Sequence, residues 1–337
     1  MRIAVDAMGG DRGPGVIVEG VVGALRNGHK EGVEVVLVGR QIDLERELRA
    51  HDATRLPIEL IHAEDAVSMS ESGAGVLRRK PTSSIAVGLD LQKQGRAQAF
   101  ISTGNTGAVV SGALLTLGRL SHVRRPAIAT FLPTAAGGCV LLDVGANANV
   151  KPIHLLEFGE MGMVYARHIL KRENPRVGLL NIGEEESKGN DVAQEAHQLF
   201  KRSTLNFVGN VEGRGIFRGD VDVVVCDGFV GNILLKFMES VLGFVKSTMK
   251  STVERDPMAW VGAALLKPAF KEFSKTMSYE AYGGAPLLGV NGVCIICHGS
   301  SSSKAIQSAI RTASQFVSYK LNDEIDRRIA LDESEVR

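Results

Sequence analysis

Phe100-Ile101-Ser102-Thr103-Gly104-Asn105-Thr106-Gly107 joins the end of an apolar run to the start of a small-residue helix, Ala108 to Leu117. Its glycines permit a tight turn and the close approach of a ligand to the backbone. The first turn of a helix presents free N–H groups and the positive end of the helix dipole, which suits an anion. Ser, Thr and Asn can cap such a helix and still donate to a bound oxyanion. The stretch reads either as a phosphate- or carboxylate-sized pocket at a strand-to-helix junction or as a capped helix start with no ligand. Strand, tight turn and helix together form the repeating unit of an α/β fold.

Outward from this unit, short apolar strands alternate with helical segments nearly throughout. Arg2–Asp6, Val33–Val38, Ile58–His62, Ala97–Ser102, Ala127–Leu132, Cys139–Val144, Arg176–Asn181, Asn206–Val208, Val221–Cys226 and Val293–Cys297 read as strands. Ala135-Ala-Gly-Gly138 looks like a hairpin connection. The alternation predicts a three-layer α/β/α fold around a mostly parallel sheet. Residues 1–321 are expected to form one large domain with a helical insertion at about 250–278, and 322–337 a charged tail that frays. The high glycine count of 38 and the 5% aromatic content favour many tight turns over an aromatic-rich sandwich.

A formal net charge of +1 supplies no global field for nucleic acid, so a charged partner must meet a local patch. No apolar run approaches the ~20 residues that span a bilayer. Met1-Arg2-Ile3-Ala4-Val5-Asp6 lacks the apolar core of a signal peptide, so a cytoplasmic location with reduced thiols is expected. Cys294-Ile-Ile-Cys297-His298 fits the spacing for covalent haem attachment, but the apolar, β-branched context reads as a buried strand. Residues three apart on a strand face opposite sides, so the two thiols do not converge. Cys139, Cys226, Cys294 and Cys297 are expected to be small core residues, with no metal and no cofactor.

Ligands of open α/β sheets bind beyond the carboxyl ends of the strands. Six predicted strand ends carry Gly with Asp, Asn, Ser or His: Asp6-Ala-Met-Gly-Gly-Asp11, Thr103-Gly-Asn-Thr-Gly107, Asp143-Val-Gly-Ala-Asn147, Asn181-Ile-Gly-Glu-Glu185 with Lys188-Gly189, Asp227-Gly-Phe-Val-Gly-Asn232 and His298-Gly-Ser-Ser301. Placed at one edge of one sheet, they predict a shared polar pocket. Nucleotide signatures fail, since no Walker lysine follows a glycine loop and Val18 stands where a dinucleotide fingerprint wants glycine. No Gly-x-Ser-x-Gly elbow supports a serine nucleophile.

Those six motifs, with Tyr282-Gly-Gly-Ala285, run in order over nearly the whole chain and resemble the bacterial phosphate acyltransferases of phospholipid synthesis, the PlsX family. The chain is similar, more weakly, to phosphate acetyltransferases and more distantly to isocitrate and isopropylmalate dehydrogenases. The resemblance implies a reaction in which acyl-acyl carrier protein and inorganic phosphate give acyl phosphate and free carrier. A membrane acyltransferase then uses the acyl phosphate on glycerol 3-phosphate.

For that reaction phosphate is itself the nucleophile, and placing it beside the thioester supplies much of the acceleration. The backbone around Gly104, Thr106 and Gly107, with Asn105, is the expected phosphate cradle. Asp6, Gly9, Gly10, Asn147, Asn181, Gly299 and Ser300 complete the expected phosphate and substrate set. Lys188 offsets phosphate charge or stabilises the oxyanion, or is a solvated lysine after three glutamates. His298 protonates the leaving thiolate or donates to phosphate, or is structural. Asn232 donates to an acyl oxygen or simply caps a helix, and Asp227, like Asp143, orients donors from behind them.

An acidic carrier protein calls for a basic dock, for which Arg78-Arg79-Lys80 and Arg119 with Arg124-Arg125 are candidates, or merely solvated charges. Asp256-Pro257 suits a helix start, and Pro268 is expected to stop or restart that helix. Trp260, Val261 and Leu265 share its apolar face, continued by Phe270, Phe273 and Met277 with Lys267, Lys271 and Lys275 nearby. This segment suits peripheral contact with a membrane surface or packing across a homodimer. Competing functions are an acyl-CoA-using enzyme of phosphate acetyltransferase type, a nicotinamide-dependent dehydrogenase on a distantly related fold, and a non-catalytic binding module.

Overall fold

The computed structural model describes residues 1–27, 32–73, 75–254, 257–276 and 283–336. The side chains of Val261, Phe270, Lys271, Phe273, Lys275, Met277 and Tyr282, named above, lie outside the described set. From the amino terminus the chain runs β1 (Arg2–Asp6), α1 (Pro14–Arg26), β2 (Glu34–Gly39), α2 (Gln41–Ala50), β3 (Ile58–His62), α3 (Val76–Arg79), α4 (Ser84–Lys93), β4 (Ala99–Ser102) and α5 (Thr106–Thr116). It continues through β5 (Ala127–Leu132), β6 (Cys139–Leu142), α6 (Pro152–Leu170), β7 (Val177–Leu180), α7 (Asp191–Arg202), β8 (Phe207–Val211), α8 (Gly213–Arg218) and β9 (Val223–Val225). The last part comprises α9 (Gly228–Glu254), α10 (Pro257–Thr276), β10 (Ala285–Leu288), β11 (Cys294–Ile296), α11 (Ser303–Ser318) and α12 (Leu321–Val336). Short polar side chains start several helices: Ser83, Asn105, Asn190 and Ser302 each accept the N–H of the residue three positions on.

The strands form one sheet in the order β3-β2-β1-β4-β11-β10-β5-β6-β9-β7-β8. Most neighbours are parallel, as expected, but β10 runs antiparallel to both β11 and β5, and β5 antiparallel to β6. The carboxyl ends of β1, β4 and β11 therefore share one edge, and those of β6, β9 and β7 point to the other. This corrects the single shared edge expected for all six polar loops. Because β10 is antiparallel to both neighbours, β5 runs parallel to β11, and the change of edge arises at the β5–β6 hairpin that the Ala135–Gly138 connection signals. The strand missed from the sequence is β10, four residues long with Pro286, because proline removes a ladder donor and disguises a strand.

Alternate residues of each strand feed two apolar layers. Ile3, Val5, Ile295 and Cys297 meet α1, α6, α11 and α12 on one face, while Ala4, Cys294 and Ile296 meet α4 and α5 on the other. Cys294 and Cys297 thus face opposite layers, as strand geometry requires. All four cysteines are free and buried. Burial pushes the Cys294 and Cys297 thiols up to about 12, and Cys139 and Cys226 also rise, so they are neutral thiols at physiological pH.

Two expectations about the carboxyl-terminal third change. The tail is a helix: Leu321, Ile325 and Ile329 of α12 recur at four-residue spacing and bury against the core. That apolar stripe outweighs the charged residues between them. Pro268 lies inside α10 rather than ending it. At that solvent-exposed position the carbonyl that a proline leaves free can meet water. The preceding helix, α9, is long and apolar enough by length and composition to cross a membrane, although little of it is buried. Because α12 closes one layer, Ile325→Ala, at a residue with 0% exposure, should lower unfolding free energy by about 3 kcal/mol. A urea midpoint equal to that of the parent protein would mean that the helix is undocked in solution.

Candidate active site

The adjacent strands β1, β4 and β11 are each followed by a helix, so α1, α5 and α11 direct their amino termini to the same edge. None of these helices carries an acidic residue in its first turn. The positive ends of three dipoles are left without a neighbouring carboxylate on their own helices.

Asp6, at the end of β1, ties these loops together. Its Oδ1 accepts the N–H groups of Met8 at 3.0 Å and Gly9 at 3.1 Å. Its Oδ2 accepts the Ser102 hydroxyl at 2.7 Å, and Ser102 Oγ in turn accepts the Gly104 N–H at 2.9 Å. Burial pushes the Asp6 carboxyl above its ordinary range, and hydrogen bonds from Ser84, Ser102, Met8 and Gly9 pull it back. Gly9 is pressed onto Gly104: a Cβ there would stand 2.6 Å from Gly104 N. Only glycine allows the two loops this approach. The third loop joins through the Asp11 N–H, which donates to Gly299 O at 2.8 Å.

Asn105 is spent on structure. Its Oδ1 caps α5 by accepting Ala108 N–H at 3.0 Å, while Nδ2 faces the carbonyls of Ser68 at 3.1 Å, Met69 at 3.3 Å and Glu71 at 2.7 Å. The 68–73 segment lies across the start of α5, where the Ser111 hydroxyl also donates to Gly73 O at 2.8 Å. What the edge offers an anion is backbone: the N–H groups of Asn105, Thr106 and Gly107 have no acceptor among the described residues. Arg78 and Arg79 are exposed on α3, which follows that segment, whereas Lys80 donates to Glu71 and to Ala66 O.

His298 is exposed at the end of β11. Its Nδ1 faces the Ser300 hydroxyl at 2.8 Å and the Ser300 N–H at 3.2 Å. A backbone N–H can only donate, so Nδ1 is the accepting nitrogen and the neutral ring carries its proton on Nε2.

The other polar loops form a second group at the opposite edge. Asp143 accepts the N–H groups of Ile128, Gly145, Ala146 and Asn147, and the Asn147 amide. Burial raises its carboxyl and these donors oppose the rise. Asn147 also donates to Pro126 O at 2.7 Å. Asp227 caps α9 by accepting Val230 N–H at 2.8 Å, and Asn232 rests against Gly145. Asn181 closes its own loop by donating to Lys188 O at 3.0 Å, which leaves the Lys188 side chain exposed. No hydrogen bond among the described residues links this group to the Asp6 group.

The sequence reading passed over Ser84 and Ser102. Their signal is positional: Val5 pairs with Ile101, which sets the ends of β1 and β4 side by side, but that pairing cannot be known before the sheet is built. Cavities of about 540 Å³ and 370 Å³ lie along α12, and the smaller is lined by Arg119, one of the candidate dock residues, but by none of the expected catalytic or phosphate-binding residues.

A family profile described as fatty acid synthesis protein matches residues 1–324. A phosphate acyltransferase of Heliobacterium modesticaldum is 50% identical over 318 residues, 94% of each chain. One of Syntrophotalea carbinolica is 46% identical over 334 residues, 99% of this chain and 95% of that one. Among solved structures, EutD phosphotransacetylase from Staphylococcus aureus superposes with a TM-score of 0.60 at 15% identity, covering 94% of each chain. A phosphotransacetylase from Streptococcus pyogenes gives 0.59 at 18% identity with the same coverage. These structures establish the three-layer α/β fold, and the relatives establish the family. The chain belongs to the fatty acid synthesis protein family and is an acyltransferase.

Proposed function

We propose that the chain transfers a fatty acyl group from acyl-acyl carrier protein to inorganic phosphate, giving acyl phosphate for phospholipid synthesis. The names of its relatives supply the reaction class. The observation that carries the assignment to this site is the convergence of α1, α5 and α11, without first-turn acids, on one strand edge. Phosphate held there by the N–H groups of Thr106 and Gly107 is desolvated and oriented for attack on the thioester carbon. The C–S bond breaks as the C–O bond forms, and the proton on His298 Nε2 goes to the leaving thiolate. Arg78 and Arg79, exposed on α3, form the acidic carrier's dock. Arg119 lies past the far end of α5, about 16 Å along the helix from Asn105. Lys188, Asp227 and Asn232, on the opposite edge, receive no step.

The reading extends to assembly. Phe229, Ile233, Phe237, Val241, Phe244, Val245 and Met249 are exposed along α9, with Phe237 65% exposed. This length of exposed apolar surface suits burial by a second copy in a homodimer. On α10, Trp260 and Leu265, 63% and 78% exposed, suit shallow insertion into a membrane surface. From there acyl phosphate passes to a membrane glycerol-3-phosphate acyltransferase. The enzyme is thus cytoplasmic and peripherally bound.

Supplying acyl-acyl carrier protein with and without phosphate tests the reaction. Phosphate-dependent release of carrier thiol is expected, and equal release from acyl-CoA would favour the phosphotransacetylase-like alternative. Trp260→Glu with Leu265→Glu should weaken liposome binding about tenfold while detergent-free activity stays within about twofold; undiminished binding removes the membrane role. Asn105→Asp keeps the cap but turns a carboxylate toward three carbonyls, and should destabilise the fold by about 2 kcal/mol. A normal melting temperature with a raised phosphate KM would instead make Asn105 a phosphate ligand.

A further inference from the structure

The Asp6 network satisfies the carboxylate of Asp6 and the hydroxyl of Ser102 at this edge, but not the hydroxyl of Thr103. Thr103 is only 4% exposed, and its Oγ1 has no hydrogen-bond partner among the described residues. A buried hydroxyl without a partner is a standing cost, and valine would fill the same space without it. Thr103 is the residue between Ser102, which bonds Asp6, and Gly104, which bonds Ser102. It therefore stands where the three helix amino termini converge.

The β1 loop passes close to Oγ1. A Cβ built on Gly10 would lie 2.9 Å from Thr103 Oγ1 and 2.9 Å from Gly299 O. Gly10 has φ +83 as well, so both the backbone conformation and the crowding exclude a side chain. The β1 loop thus brings glycine, and nothing larger, to the flank of this hydroxyl, with the Gly299 carbonyl also close to Gly10. Resting on the phosphate reading above, we propose that the Thr103 hydroxyl is a direct ligand of the attacking phosphate, donating its proton to a phosphate oxygen that enters beside Gly10. The converging dipoles favour a full anion over the uncharged thioester oxygen as the acceptor. Phosphate binding converts the unsatisfied hydroxyl into a charge-assisted hydrogen bond, which makes Thr103 a residue that sets phosphate affinity.

The test compares Thr103→Val and Thr103→Ser in the full-length enzyme, with long-chain acyl-acyl carrier protein and inorganic phosphate as substrates. Loss of a hydrogen bond to a charged ligand should raise the KM for phosphate about 10- to 100-fold in Thr103→Val, with the KM for the acyl carrier within about twofold. Without phosphate, Thr103→Val should melt at or about 2 °C above the parent, because an unpaired hydroxyl has been removed. The upward shift that phosphate produces in the parent should be lost. Thr103→Ser should restore most of the phosphate affinity. If the parent saturates with phosphate and Thr103→Val saturates at the same concentration, the proposal fails while the reaction stands. A Thr103→Val protein that melts lower or does not fold also overturns it, since the hydroxyl then has a structural partner. Thiol release by the parent that ignores phosphate overturns the reaction reading and this one together.

Discussion

A carboxylate with 1% exposure, Asp6, sets the geometry of the edge where three helices converge. A buried charge of this kind must collect hydrogen-bond donors, and here they come from separate parts of the chain: Met8 and Gly9 from its own loop, Ser84 from the start of α4 and Ser102 from the end of β4. Satisfying Asp6 therefore fixes one loop against another. Gly9 is drawn onto Gly104, and the turn into α5 is held with its first N–H groups turned away from any internal acceptor. The proposed anion site is a by-product of how a buried carboxyl is satisfied.

The second edge shows the same device with the opposite result. Asp143 follows β6 as Asp6 follows β1, but it gathers the N–H groups of Gly145, Ala146 and Asn147 from its own turn. The donors that would bind a ligand are consumed by the carboxylate. In the sequence the two motifs look alike, each an aspartate followed by glycine and small polar residues. Residue types identify a turn that can bind an anion, but only the hydrogen-bond partners decide whether it remains open to one.

Much of the fold was legible because its signals are local. Alternation of strands and helices, the Ala135–Gly138 hairpin and the buried cysteine strand all follow from short-range pattern. What could not be read depends on distant pairing. The β5–β6 hairpin moves Asp143, Asn181 and Asp227 to the far edge, but that consequence depends on how β5 is placed beside β10 and β11, which no short-range pattern gives. Asn105 misled for a related reason: its three carbonyl partners lie 34 to 37 positions away. In α12 the reading weighted charge over the Leu321, Ile325 and Ile329 spacing, which was visible.

Acyl transfer to phosphate asks one protein to hold a small, strongly hydrated anion and to meet a long apolar chain. These demands conflict at a single surface, because donors aimed at phosphate cannot be left dry against a hydrocarbon. The mixed sheet separates them. The parallel run β1-β4-β11 gives an edge of helix amino termini. Past the β5–β6 hairpin, the opposite edge launches α9, a helix roughly 40 Å long that turns Phe229, Phe237 and Phe244 outward. Among the described residues, Leu234, Leu235 and Met238 near its start pack on the core, while Phe237 and Phe244 farther along stay exposed. Without the β5–β6 hairpin, polar loops and apolar helix would meet at the same edge. That antiparallel pair keeps the proposed phosphate loops and the exposed helix α9 apart.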